Sequence, residues 1–443
     1  MGGRLTRRSR VEPHESDLLK LSIVSLLLVA CASRTPVSPA VGPQDEVVSG
    51  FEEDWADFRE IVTDYYAYRD RPGFDAQAWL DLHEVAALSA RTPIAFADQL
   101  QSVARRFHDP HFNAGPYDDD DYSVVPTGTD LYGVFDADGA VVVDVMLGGA
   151  ADVAGVRPGW RIVRIDDLSP DAAARRPFPK APELDVPTLE YGLQLALSGK
   201  RHQTRVVAFT KPDGTKVELE LAATYGAVDA TREGPVVTAR RVDTVGVIRL
   251  NNSLGNDDTI AAFDAAIEEQ AATTALILDL RGTPSGGNTT IARSILGHFV
   301  DEPLPYQVHE FPVDLRLHGV ERRAVEYVLP RGYRYTKPVV VLCGRWSGSM
   351  GEGLVIGMDA IGADAVFGSE MADLLGGLHV FRLEQSQAFV EIGVESLFHV
   401  DGTPREDFVP AHLVSPADRA ADGSDAALTA ALEWLSSREA ESP

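Results

Sequence analysis

The chain has 443 residues, of which 44% are hydrophobic and 24% charged. That is the make-up of a globular protein long enough to bury a large core in two to four domains. A net charge of −27 with no basic patch excludes electrostatic capture of nucleic acid or anionic lipid. Only two cysteines are present, Cys31 and Cys343, so a disulfide framework is excluded, and no Cys/His spacing suits zinc.

At the N-terminus, Arg4, Arg7, Arg8 and Arg10 precede an apolar run from Leu18 to Ala30 that is short for a spanning helix. The run ends Leu28-Val29-Ala30-Cys31 and resembles a bacterial lipoprotein lipobox. The resemblance implies a signal peptide over 1–30, lipidation at Cys31 and export to the cell envelope; an uncleaved signal anchor is the competing reading. Glu12, Glu15 and Asp17 make the leader long and partly acidic, which points to a start codon further downstream. Residues 31–46, rich in Ser, Pro and Val, read as a tether.

From 47 to 127 apolar residues recur at helical spacing: Phe51, Trp55 and Phe58, then Trp79, Leu82 and Val85, then Phe96, Leu100 and Val103. The spacing predicts three helices, with a break at Arg71-Pro72-Gly73 and Tyr65, Tyr66 and Tyr68 as helix packing. A loop follows, Phe107-His108-Asp109-Pro110-His111, and then an acid run, Asp118 to Asp121, whose spacing is that of a solvated turn and not of a calcium loop.

Residues 128–225 read as short β-rich runs. Strand Val141 to Val145, a small-residue helix, a Gly-x-x-Pro-Gly turn ending at Gly159, and strand Arg161 to Ile165 resemble a PDZ domain. The resemblance makes Leu131, Tyr132, Gly133 and Val134 the loop that receives a peptide terminus while the peptide adds a strand.

Residues 236–437 alternate strand and helix, which predicts an α/β core. Its most informative segment is Gly344-Arg345-Trp346-Ser347-Gly348-Ser349-Met350-Gly351-Glu352, between an apolar strand ending at Cys343 and a helix-like run to Ile361. A serine at a helix start lies among free N–H groups, where an oxyanion is stabilised. A tight Gly/Ser turn is the bland alternative. Cys343, on its apolar strand, reads as a core residue.

The order of helical region, PDZ-like insert and α/β core carrying Leu278-Asp279-Leu280-Arg281-Gly282 resembles the S41 serine peptidases, the C-terminal processing family. The resemblance spans roughly 47–437 and implies a multidomain α/β protein with a crotonase-like core. It places Ser349 as nucleophile, with Glu352 as the acidic residue after it. Family members of the tail-specific branch take a lysine base from a downstream segment, but the matching stretch here, Gly368 to Gly377, has no lysine. The tricorn-core-like branch implies instead His111 as base and Glu406 as third group, with Asp407 leaving the choice of carboxylate open. Gly286 or Gly287 with the Met350 N–H is then the oxyanion hole. His108 and Ser347 are the rivals for base and nucleophile.

A Ser–His–carboxylate trio is sensible chemistry in itself, since a hydroxyl needs a base and an imidazole needs orienting. The expected activity is endopeptidase cleavage of proteins in the cell envelope, with peptide substrates as partners and no metal or organic cofactor. The alternatives are a catalytically inactive S41-fold peptide- or ligand-binding lipoprotein, favoured by the missing lysine, Asp407 and Pro284-Ser285, and an esterase using the same trio.

Overall fold

The computed structural model of the protein describes residues 50–71, 73–181, 183–224 and 234–441. The expected signal peptide and tether, with Cys31, lie outside them. Among the described residues no helix is long and apolar enough to cross a membrane.

Helices Glu52–Glu60, Ala76–Leu88 and Pro93–Ala104 fill the N-terminal region where three are expected, but in the second Leu82 and Val85 are exposed and the buried face is Trp79, Leu80, His83 and Ala87. Two of them are capped as helix starts require: Asp75 accepts from Ala78 N and Thr92 from Ala95 N. They do not form a core of their own. Phe58, Tyr66, Leu100 and Phe112 pack with Leu375, Val390 and Ile392 from far along the chain. Val390 and Ile392 lie in strand Phe389–Phe398, which pairs antiparallel with Gly377–Arg382 in a sheet that also contains Asn113–Gly115 and the hairpin Leu304–Glu310 with Arg323–Val328.

The insert is a five-stranded antiparallel sheet, in chain order from Leu131–Asp136 to Lys216–Leu221. Helix Val186–Ser198 packs on it through Leu193 and Leu197.

The third sheet has six strands, ordered His412–Leu413, Ala365–Gly368, Val339–Cys343, Ala275–Asp279, Val245–Leu250 and Val237–Val242. All neighbours are parallel except the last pair, a hairpin. Helices Asp258–Glu269, Thr289–Leu296 and Met350–Ala360 cover one face, while Ala426–Glu441 contributes Ala427, Ala431 and Leu435 to the other. Burial on both faces explains why Val339–Cys343 is apolar at every position. Cys343 is one of these core residues, its thiol pushed up to about 12 by burial.

Arg281 anchors the loop that leaves this sheet. Fully buried, it meets Asp279 at 2.8 and 2.9 Å, Asp425 at 2.7 and 3.1 Å, and the Ala417 carbonyl at 2.9 Å. Removing one member of such a buried set leaves uncompensated charge, at a cost of roughly 3–5 kcal/mol. Arg281→Met is therefore expected to lose about that much stability in urea unfolding; a loss under 1 kcal/mol would show that the network is dispensable.

Candidate active site

Two parallel strands, Ala275–Asp279 and Val339–Cys343, send their loops out at neighbouring carboxyl ends, where open α/β sheets place ligands. Beyond the strands the loops stay zipped together. Thr283 N donates to Trp346 O at 3.1 Å and Gly348 N to Thr283 O at 3.2 Å. This pairing brings Gly286 against Ser349.

Ser349 caps helix Met350–Ala360 with φ 53° and ψ −114°, a conformation that costs a non-glycine residue about 1–3 kcal/mol. Glu352, one turn in, compensates: its carboxylate accepts from Ser349 N at 2.6 Å, Asp373 N at 3.0 Å and Leu374 N at 3.2 Å. The strained turn leaves the Ser349 side chain part-exposed, while Ser347 is fully buried and donates to Leu280 O at 3.0 Å. Ser347 is thus a clamp between the two loops.

Gly286 has φ 61°, and a Cβ built there would lie 2.8 Å from Ser349 Oγ and 3.0 Å from Met350 N. Its own N–H donates to Thr283 O at 3.0 Å, so what Gly286 supplies is room beside the serine, not the expected donor. Gly287 is hemmed in by the backbone of Leu254 and Gly255, which excludes any side chain. Met350 N–H, at the first helical position, has no intrahelical acceptor and faces that same room.

The segment lacking a lysine contributes through its backbone. Leu375 O accepts from His111 Nδ1 at 2.9 Å, and Leu375 N donates to Asp109 Oδ1 at 3.2 Å. A carbonyl oxygen only accepts, so Nδ1 carries the proton and Nε2 keeps its lone pair. Asp109 also accepts from His111 N at 2.9 Å and Tyr66 Oη at 2.8 Å. Residues 373–375 therefore tie the serine turn, through Glu352, to the histidine loop, through Asp109. Arg405 completes the tie, donating to Leu374 O and lying 3.8 Å from Glu352.

Burial dominates the titration of these groups. It pushes His111 down to about 3, Asp109 up to about 7 and Glu352 up to about 8, the last two against their N–H donors. Asp109 and Tyr66 carry no sequence signal of this role, since the tyrosine reads as helix packing and the aspartate as a loop residue.

Glu406 is half-buried and makes no hydrogen bond to His111; the Nδ1 position is held by the Leu375 carbonyl. Asp407 is exposed. His108 Nε2 lies 2.8 Å from Thr188 Oγ1, turned towards the insert. Leu131, Tyr132, Gly133 and Val134 fall in the edge strand Leu131–Asp136 of the insert. Of the acid run, residues 118–120 are exposed, but Asp121 is buried and accepts from Asp118 N.

A cavity of about 460 Å³ lies beside these loops, although neither Ser349 nor His111 lines it. Pro110 of the histidine loop, Trp346 of the serine turn, Asp373, and Tyr132 and Gln194 of the insert all line it.

Asp109→Ala removes three hydrogen bonds that hold the histidine loop, and a misplacement of about 1 Å lowers turnover on the order of 100-fold. The expected result is a 10- to 100-fold lower kcat with KM little changed, and near-complete recovery in Asp109→Asn, which keeps an acceptor for both N–H groups. Equal losses in both variants would contradict a positioning role.

Residues 244–407 match the family described as Peptidase family S41. Among solved structures, a mature CPAF complexed with lactacystin is similar at 13% identity, with 87% of this chain and 96% of that chain covered and a TM-score of 0.56. A photosystem II D1 C-terminal processing protease is similar at 16% identity, with 83% and 94% covered and a TM-score of 0.52. At those identities the structural likeness concerns the fold. No curated protein matches the sequence significantly.

Proposed function

We propose that this chain, whose residues 244–407 match peptidase family S41, is a serine peptidase in which Ser349 is the nucleophile and His111 the general base. The observation that carries the reading is the bond from His111 Nδ1 to the Leu375 carbonyl, which leaves Nε2 ready to accept a proton. Ser349 Oγ attacks the peptide carbonyl as Nε2 takes its proton, and Met350 N–H stabilises the oxyanion. Collapse of the tetrahedral adduct breaks the C–N bond, with the proton passing from His111 to the leaving amine. Water, deprotonated by the same nitrogen, then hydrolyses the acyl-enzyme.

In this scheme the Leu375 carbonyl performs the orienting task that the family resemblance gives to Glu406. Export and lipidation at Cys31, inferred from the lipobox-like leader, would put the enzyme on proteins of the cell envelope.

The test is cleavage of an unfolded protein by residues 32–443, followed by mass spectrometry, with Ser349→Ala as control. Discrete internal cleavages that vanish in the variant are expected; cleavages that persist in it would overturn the assignment.

A pH profile tests the base. Since burial depresses His111 to about 3, its neutral form persists well below the ordinary value of 6.5. The acid limb of kcat/KM is therefore expected below that value. A limb at 6.5 or above would mean a solvated histidine. Stability follows the same sign: His111 contributes fully above the unfolded value of 6.5, and this is lost as pH falls towards 3, because only the unfolded chain binds the proton.

A further inference from the structure

The insert meets the α/β core along a seam of polar bonds. From strand Gly139–Val145, the Asp144 carboxylate accepts from Ala417 N at 3.3 Å. From the short helix Ala150–Val153, Asp152 accepts from Arg419 at 2.7 and 2.9 Å, and from Arg157 of the insert itself at 3.0 Å. Asp418 stands between these two contacts in the chain. It is fully buried, and among the described residues neither of its carboxyl oxygens has a hydrogen-bond partner.

The cations around Asp418 are committed elsewhere. Arg281 has five N–H groups and makes five bonds, to both oxygens of Asp279, both of Asp425 and the Ala417 carbonyl. Arg249 donates to Asp279 at 3.2 Å, and Arg419 gives its guanidinium to Asp152 and the Gly423 carbonyl. Arg345, which faces Asp144, lies 2.7 Å from Glu370. The remaining neighbours of Asp418 are acids: Asp144 from the insert, Asp279 and the Cys343 thiol from the core. An ionised carboxylate buried with no donor is far more costly than a neutral acid in the same place, so Asp418 holds a proton here. Its titration agrees. Burial, opposed by Arg281 and Arg249 and reinforced by Asp144, pushes it up to about 8. Burial raises Asp144 as well, against the N–H groups that it accepts from.

We propose that Asp144 and Asp418 form a proton-operated latch between the insert and the core: with Asp418 protonated the insert is seated, and loss of that proton sets two like charges across the seam and unseats it. The sign follows from linkage. The folded chain binds this proton more tightly than the unfolded one, so the contribution is full below the unfolded value of 3.8 and is lost as pH rises through about 8. The latch adjoins the loops of the candidate site. A Cβ on Gly344, where the serine turn begins, would lie 3.3 Å from Asp418 Oδ2. Trp346 Nε1 donates to Thr129 O at 2.8 Å, and Thr127 Oγ1 to Pro284 O at 3.1 Å, so the segment entering the insert touches both loops. The inference goes beyond the peptidase reading; only its effect on turnover, a fall over the same pH range, rests on that reading.

The test reads the seam and not catalysis. Residues 32–443 carry Val163→Cys on the insert and Val409→Cys on the core, both at exposed positions, labelled with a donor and an acceptor dye that do not themselves titrate. Cys343 is buried and stays unlabelled. Energy transfer is followed from about pH 6 to about pH 10, with far-UV circular dichroism alongside. The parent is expected to change in one reversible step centred near pH 8, with its circular dichroism constant. Asp418→Asn, neutral at every pH, should keep the efficiency of the low-pH form throughout. Asp144→Asn should do the same, because no second charge then faces Asp418.

An efficiency that stays constant in the parent overturns the proposal, and that titration needs no substitution at the seam. A step that persists in either asparagine variant overturns it too, as does a step that coincides with loss of the circular dichroism signal. A serine that takes no active-site label at any pH would sink the peptidase reading and leave this result standing.

Discussion

His111→Ala is expected to lower kcat/KM by about 10⁴-fold or more, with little change in folding. Magnitudes of that order follow when a serine loses the base that takes its proton. The fold should persist at some cost in stability, because alanine leaves a cavity at this buried position and the Leu375 carbonyl without its donor. His111→Gln is the informative companion. Its amide nitrogen can still donate to Leu375 O, so the loop keeps its place while the base is gone. Loss of activity in both variants assigns chemistry to the ring; recovery in the glutamine variant would reduce His111 to a strut. His108→Ala, by contrast, should retain most activity, since its ring is engaged by Thr188 on the insert.

Gly286→Ala is expected to be nearly as damaging by a different route. The new methyl would sit 2.8 Å from Ser349 Oγ and 3.0 Å from Met350 N, in the space that an attacked carbonyl must enter. Loss of one oxyanion donor alone costs about 10²–10³ in kcat. Here both the donor and the approach to the nucleophile are obstructed, so a fall of at least 10³-fold in kcat/KM is anticipated. The positive φ adds about 1 kcal/mol of folding cost for alanine. Steady-state kinetics beside a urea melt separates the two effects. An Ala variant with more than a tenth of parent activity would mean that the substrate carbonyl lies elsewhere.

The serine turn was legible because its sequence signal is local, although Thr283, Leu280 and residues 373–374 help to hold it. An apolar strand, two small residues and a helix start with Glu at its third position occupy one continuous stretch, and the structure joins them through the Glu352 bond to Ser349 N. The same holds for the parallel strands, whose burial on both faces leaves unbroken apolar runs, and for the N-terminal helices, whose spacing is periodic.

What escaped the sequence was the work done by backbone and by distant partners. The group that orients His111 is a carbonyl 264 residues away, and a carbonyl has no residue type by which to recognise it. Tyr66 and Asp109 meet across 43 residues, each with a bland local explanation. The hairpins at 304–328 and 377–398 lack clean alternation: Val325, Tyr327, Leu378 and Val380 are exposed, so a period of two does not mark the inner face. Packing of the 377–398 hairpin against the N-terminal helices merges into one core two regions that look separate along the chain.

One measurement tests the central claim most directly: active-site labelling of residues 32–443 with a fluorophosphonate, beside Ser349→Ala and His111→Ala. The probe phosphonylates a serine only when a base removes its proton and an oxyanion site receives the P–O⁻. A Ser349–His111 pair predicts one label per wild-type chain, located on Ser349 by mass spectrometry, and none on either variant. A folded wild-type protein that takes no label, or a label that persists in Ser349→Ala, would contradict it.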